Sequence, residues 1–168
     1  EFARQLFVMP VNGGAAERLT EENVDVWSAA WSPSGKAIAF TATPHGDTEC
    51  PSLIILRLPG DLTDISGDKC HFGAPQWRPN ALSVLTICQG LNASEVHGVC
   101  ASDSGSGGQS LVVEGDVDAA AWDPNGATIA FAMQIDESTR SVRTIEPGGR
   151  NEQIIVAAYP VTFAGSDI

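Results

Sequence analysis

Ala29 to Phe40 reads AAWSPSGKAIAF, and Ala120 to Phe131 reads AAWDPNGATIAF. Eight of the twelve positions are identical across a displacement of 91 residues. Internal repetition constrains architecture before any propensity argument does, because each repeat is one supersecondary unit that must bury its apolar face against a neighbour. Halfway between the two segments lies PQWRPNALSVLT, starting at Pro75, with its tryptophan on the same footing. Trp31, Trp77 and Trp122 stand 46 and 45 positions apart, and each is followed by one residue and then a proline. The unit is about 45 residues long.

Within each unit the pattern is that of short strands. Val26 to Trp31 and Val117 to Trp122 are rich in β-branched, alanine and tryptophan residues. Ser32-Pro33-Ser34-Gly35 and Asp123-Pro124-Asn125-Gly126 follow as turns, with proline pre-setting φ at the second position and glycine suited to the last. The middle unit keeps Pro79 but carries Ala81 in place of the glycine, so its turn has the weakest signal. Second strands follow at Ala37 to Ala42, Leu82 to Cys88 and Thr128 to Met133. Third strands fall at Ser52 to Leu58, Val96 to Ser102 and Ser141 to Glu146, and fourth strands at Leu62 to Ser66, Ser110 to Val113 and Gln153 to Val156. No stretch carries an apolar stripe at helical spacing long enough for a helix of about ten or more residues. The expected fold is all-β: a β-propeller of four-stranded antiparallel blades.

The expected blades run near 24–70, 71–115 and 116–158, with partial blades at 1–23 and 159–168. Gln5 to Thr20 reads as the outer two strands of a preceding blade, turning at Asn12-Gly13-Gly14. Val161-Thr162-Phe163 stands where a further inner strand would begin. These pieces come to one strand short of a four-bladed ring. The expectation is therefore a portion of a larger propeller whose open ends pair copies of the chain, with a thin four-bladed ring as the alternative.

The run LFVMPVNGGAAERLT followed by AAWSPSGKAIAF resembles the repeat of TolB-type propellers. There a Gly-Gly turn, Arg-Leu-Thr, a Trp-Ser-Pro-Asp-Gly turn and an Ile-Ala-Phe strand recur in order. Arg18-Leu19-Thr20, Trp31 to Gly35 and Ile38-Ala39-Phe40 carry the resemblance, with Ser34 replacing the usual aspartate. The third unit matches through Trp122 to Gly126 and Ile129-Ala130-Phe131, and the second only at Trp77 and Pro79. The resemblance implies the fold more than a function. Similar blades occur in periplasmic TolB, in sensor ectodomains of bacterial anti-sigma factors and kinases, and in the substrate-gating domains of oligopeptidases.

With 21 acidic and 9 basic residues the formal charge is -12, and the basic residues are scattered singly. This argues against a nucleic-acid partner or an anionic membrane surface. No apolar run is long enough to span a bilayer as a helix, and EFARQLF lacks the tripartite pattern of a signal peptide. Cys50 and Cys70 are equidistant from Gly60, and Cys88 and Cys100 from Ser94, so antiparallel hairpins about those centres would bring each pair together. Two disulfides and an extracytoplasmic location are expected, against the competing account of four buried thiols. A zinc site is disfavoured, because no CxxC occurs and the adjacent Cys70-His71 pair has poor ligand geometry.

Catalytic signals are weak. Asp103 to Gly108 is glycine-rich but fits neither a nucleophile elbow nor a phosphate loop, and reads as a flexible hairpin loop. His45, His71 and His97 read as surface residues in or beside loops, and Glu114 to Asp118 as a solvated turn without the spacing of a calcium loop. Asn92-Ala93-Ser94 is a formal glycosylation sequon. Trp31, Trp77 and Trp122 recur once per blade, as blade-to-blade packing requires. Trp27 does not recur, since Gly73 and Asp118 hold the matching positions, and it is the aromatic candidate for an interaction surface, against the competing account of core packing. The expectation is a non-enzymatic protein-interaction or sensor module without cofactor or metal, binding a protein or small extracellular ligand. The alternatives are the propeller portion of an oligopeptidase and a carbohydrate-binding propeller.

Overall fold

The computed structural model describes residues 3–47, 50–90 and 97–160. Three four-stranded antiparallel sheets follow one another along the chain. The first contains β3 (Val24–Trp31), β4 (Ala37–Pro44), β5 (Ser52–Arg57) and β6 (Asp61–Asp64). The second contains β7 (Lys69–Trp77), β8 (Ser83–Gly90), β9 (His97–Asp103) and β10 (Gln109–Glu114). The third contains β11 (Val117–Trp122), β12 (Ile129–Gln134), β13 (Thr139–Ile145) and β14 (Gln153–Pro160). Each sheet pairs its strands in chain order, which is the meander of a propeller blade. Before them β1 (Phe7–Val8) and β2 (Glu17–Arg18) form a short hairpin, with Gly13 donating to the Pro10 carbonyl in its turn. Val161 to Phe163 and the sequon Asn92 to Ser94 lie outside the described residues.

Alternation sorts each strand's side chains between two junctions. Ala39, Leu53 and Ile55 of the first sheet meet Trp77 and Val84 of the second. Leu85, Val99, Val112 and Val113 of the second sheet meet Val117, Ile129, Phe131 and Ile145 of the third. Neighbouring residues Val84 and Leu85 thus serve opposite faces of one sheet, as a period of two demands. The other face of the first sheet, centred on Phe40 and Leu56, is capped by Leu6 and Leu19 from the β1–β2 segment. Inter-sheet contacts run from first to second and from second to third, so the described residues form an arc and the ring is not closed.

The middle turn resolves the loss of its glycine by moving the left-handed residue. Gly35 and Gly126 both sit at φ 68, whereas in the second sheet Asn80 takes φ 59 one position earlier. Asparagine tolerates that region. The turn keeps its length, with Arg78 donating to Ser83 O as Ser32 does to Ala37 O and Asp123 to Thr128 O.

The second blade begins earlier than its sequence signal. Strand β7 starts at Lys69, so Lys69 and Cys70 belong to the second sheet and not to the end of the first. Glycine and proline weaken strands, and the segment Gly73-Ala74-Pro75 carries both. In the fold it is a bulge: the register with β8 shifts between Phe72 and Gln76, and Gly73 adopts φ 73.

Candidate interaction surface

The two inter-sheet junctions share one polar device. The indole nitrogen of Trp77 donates to Ala30 O on β3 at 3.0 Å, and that of Trp122 donates to Gln76 O on β7 at 3.3 Å. In each case the acceptor is the residue just before the preceding blade's tryptophan. Packing thus places an aromatic ring across the junction while its N–H finds a partner. Trp31 departs from the expected anchor role. It is 49% exposed, because the hairpin that caps the first sheet supplies no inner strand beside it.

Both cysteine pairs are bonded, Cys50 to Cys70 and Cys88 to Cys100, with Cα separations of 4.8 and 5.7 Å. Only the second lies across a hairpin, running diagonally because Cys88 faces Gly98 and Cys100 faces Thr86. The first does not close a hairpin as expected. The β5–β6 register pairs Ile54 with Asp64, which would set position 50 against position 68. Cys70 instead sits on the inner strand of the next sheet, so the bond ties two blades together. His71 N reinforces it by donating to Pro51 O at 2.7 Å.

His71 is a second correction. Expected at the surface, it is fully buried on β7. Its Nδ1 is 2.7 Å from Thr86 Oγ1, its Nε2 is 3.0 Å from Ser66 O, and the Gln109 amide nitrogen is 2.9 Å from Nε2. Burial pushes its pKa below the ordinary histidine value, opposed by the Ser66 carbonyl and the Asp64 carboxylate. The residue joins the first and second sheets as a polar peg. A strand starting six residues before Pro75 would have revealed it, but Gly73 and Pro75 mask that strand in the sequence.

The position of Trp27 acquires meaning from the backbone. The β3–β4 register shifts between Val26 and Ser28, and the β11–β12 register shifts between Val117 and Ala119. Trp27 and Asp118 are the extra residues of these two bulges, and Gly73 lies in the third. A bulge leaves one residue unpaired and re-aims its side chain, which is why bulges recur beside binding sites. A position that does not repeat, held by Trp27, Gly73 and Asp118, thus falls within the bulge of every inner strand.

Around these positions run two shallow cavities. One, of about 110 Å³, is lined by Trp27, Thr41, Pro51, His71, Phe72 and Gly73. The other, of about 180 Å³, includes Phe72, Gly73, Gln76, Thr86 and Asp118 in its walls. They share Phe72 and Gly73, and the two cavities, adjoining at the β7 bulge between Trp27 on β3 and Asp118 on β11, are together called the groove. Trp27, 41% exposed, forms one end. Its indole donates to Thr43 Oγ1 at 3.1 Å, and the Arg4 guanidinium lies 3.7 Å from its ring centre. Beside it Asp25 accepts from Arg4 N at 2.7 Å and faces His45 Nδ1 at 3.2 Å. The Arg4 amide, followed by His45, holds the Asp25 carboxyl below the usual carboxylate range. Asp118, paired with Arg140, forms the other end. The groove thus offers an aromatic ring and an ion pair at opposite ends of an uncharged floor.

The remaining candidates lie away from this groove floor. His45 and His97 are on the surface, the latter 3.7 Å from Asp116. The loop from Asp103 to Gly108 joins β9 to β10, and Asp103 Oδ1 accepts from Gly105 N, Ser106 N and Ser106 Oγ. Those bonds depress the Asp103 pKa. The Glu114 to Asp118 stretch contains the turn between β10 and β11.

No protein-family model matches the chain, and no curated protein matches it in sequence. Solved structures do. A prolyl endopeptidase superposes with a TM-score of 0.65 at 17% identity, over 85% of this chain and 24% of its own. The structure of a putative TolB from Agrobacterium tumefaciens gives 0.63 at 16% identity, over 90% of this chain and 55% of its own. An oligogalacturonate lyase in complex with manganese gives 0.51 at 10%, over 92% and 59%. The chain spans between a quarter and three-fifths of these proteins. All-β meanders of four strands, joined at both inter-sheet junctions by a repeat tryptophan, superpose on these proteins: the chain has a TolB-like β-propeller fold.

Proposed function

We propose that this chain is a non-enzymatic, extracytoplasmic interaction or sensor module belonging to a larger protein, and that its ligand is a protein segment or small molecule held along the Trp27–Gly73–Asp118 groove. The observation that carries the reading is the coincidence of three bulges with a position that varies between repeats, held by Trp27, Gly73 and Asp118. Rigid sheets hold these positions, and variation at fixed points of a repeat scaffold is how such scaffolds acquire different ligands. The two disulfides support an oxidising compartment, since cytosolic chains rarely keep such bonds. The negative charge makes nucleic acid a poor partner.

Panning a random peptide library against the oxidised chain tests the reading, with Trp27→Ala and Asp118→Ala as controls. Peptides whose affinity falls about tenfold or more in either variant, a loss of about 1.4 kcal/mol, support the groove. Binders indifferent to both variants would overturn it.

A second reading rests on the superposition with a prolyl endopeptidase. In it the chain is the propeller portion of an oligopeptidase and the groove lines a path to a hydrolase domain elsewhere in the protein. Peptide hydrolysis by the full-length protein, abolished by an active-serine reagent, would establish this reading in place of the first.

A further inference from the structure

The position after each repeat tryptophan is held by Ser32, Arg78 and Asp123, and the three residues do different work. Ser32 and Asp123 cap their own turns. Ser32 Oγ accepts from Ala37 N at 3.0 Å, and Asp123 Oδ1 accepts from Ala127 N at 2.6 Å and Thr128 N at 3.0 Å. Arg78 has an acceptor-free side chain and turns outward instead. It crosses to the third sheet, where its Nε donates to Gly126 O at 2.7 Å and its guanidinium lies 5.2 Å from the Trp122 ring centre.

At the junction between the first and second sheets the corresponding residues are Ser32, Trp77 and Ala81. Ser32 is short and committed to its own turn, so it does not cross as Arg78 does. What remains is a cavity of about 310 Å³ lined by Ser32, Pro33, Ser34, Trp77, Asn80, Ala81 and Leu82. Among them Trp77 and Ala81 are the counterparts of Trp122 and Gly126, which meet Arg78 at the next junction. The wall is uncharged and offers the accessible part of the largely buried Trp77 indole, the hydroxyl of Ser34, which also meets Ser32 Oγ at 3.2 Å and Lys36 N at 3.4 Å, and the amide of Asn80, while the chain as a whole carries a charge of -12.

We propose that this cavity binds a guanidinium group, supplied by an arginine side chain of a protein partner, stacked on Trp77 as Arg78 stacks on Trp122. A guanidinium is planar, weakly hydrated and rich in donors, and it suits an aromatic face backed by neutral acceptors better than an ammonium does. The acidic chain draws such a group in. Two cations, Lys36 and Arg57, line an adjoining cleft of about 330 Å³ that shares Ser32, Ser34, Trp77 and Leu82. Arg57 is occupied by Ser104 O, by Thr63 Oγ1 at 2.9 Å and by Asp61 at 3.6 Å. Lys36 is exposed and lines the adjoining cleft with Ser32 and Ser34, where its charge opposes a cation bound beside them. The proposal deepens the interaction reading, resting on it only for the carrier of the arginine, and uses a site separate from the Trp27 groove.

Titration of the oxidised full chain with N-acetyl-arginine amide, followed through the indole N–H resonance of Trp77, tests it. A saturable shift is expected, with none from the isosteric citrulline amide and a weaker one from N-acetyl-lysine amide. Ser32→Arg fills the cavity from within and should abolish the shift. Should that variant misfold, two surface changes keep the test open: Asn80→Asp should tighten binding and Lys36→Ala should do likewise, each by several-fold. Absence of saturation with arginine, an equal response to citrulline, or preferential binding of N-acetyl-glutamate amide would overturn the proposal. Because Trp27 reports the groove and Trp77 the cavity, loss of one response leaves the other reading standing.

Discussion

Cys50, on the loop entering β5 of the first sheet, is bonded to Cys70 on the inner strand of the second, so a covalent link spans a blade junction. Opening it removes both a chain constraint and the anchor of the segment that buries His71. The purified chain should contain no reactive thiol in denaturant before reduction. Cys50→Ser with Cys70→Ser should cost about 2–5 kcal/mol, the usual loss for a native disulfide. Two or more thiols titrating before reduction would contradict the bonding.

His71 should make stability depend on pH. Its folded-state pKa lies below the ordinary value of 6.5 because burial disfavours the charged ring. The unfolded chain therefore binds the proton more readily than the folded one. Stability is fully present above about pH 6.5 and declines as pH falls from there towards the folded pKa, with a slope of up to about 1.4 kcal/mol per pH unit. Urea unfolding at successive pH values should show this loss, and His71→Gln, though less stable at neutral pH, should show less of it. Identical pH profiles for the two proteins would refute the assignment.

The three repeat tryptophans should differ in value. Trp122→Ala removes a ring that packs against the core of the second junction together with its bond to Gln76 O, and should cost about 3–5 kcal/mol. Trp31→Ala, at a half-exposed site, should cost under about 1 kcal/mol in the isolated chain. Equal losses would mean that the first sheet's open edge is covered in solution.

Strand β14 should drive self-association. It is the outer strand of the third sheet, and Ile154, Ile155 and Val156 are 59%, 60% and 40% exposed. An apolar edge strand invites pairing with another. Light scattering and small-angle scattering on the isolated chain should show a concentration-dependent mass above 17.6 kDa. Ile155→Lys should return it to a monomer. A monomer at every concentration before mutation would rule out association through the ends.

Repetition alone carried the architecture. A period of about 45 residues, alternating apolar strands and Pro-containing turns leave few arrangements other than stacked four-stranded sheets, because no single unit can bury its own face. The cysteine partners were legible too, but for the first pair the reason was not. Symmetry about Gly60 suggested one hairpin, whereas the bond joins two sheets. Sequence distance does not reveal which strand a residue belongs to when a bulge hides the strand's start. The burial of His71 was lost for the same reason, since Gly73 and Pro75 conceal the strand that carries it. Trp31 shares most of its local sequence with Trp122 yet is half exposed, because burial depends on what stands across the junction. The arginine crossing from Arg78 to Trp122, and the cavity left where Ser32 replaces it, likewise belong to the tertiary structure. Local sequence determines how a turn is capped, but only the stacking of sheets decides whether a side chain that does not cap has a neighbour to reach.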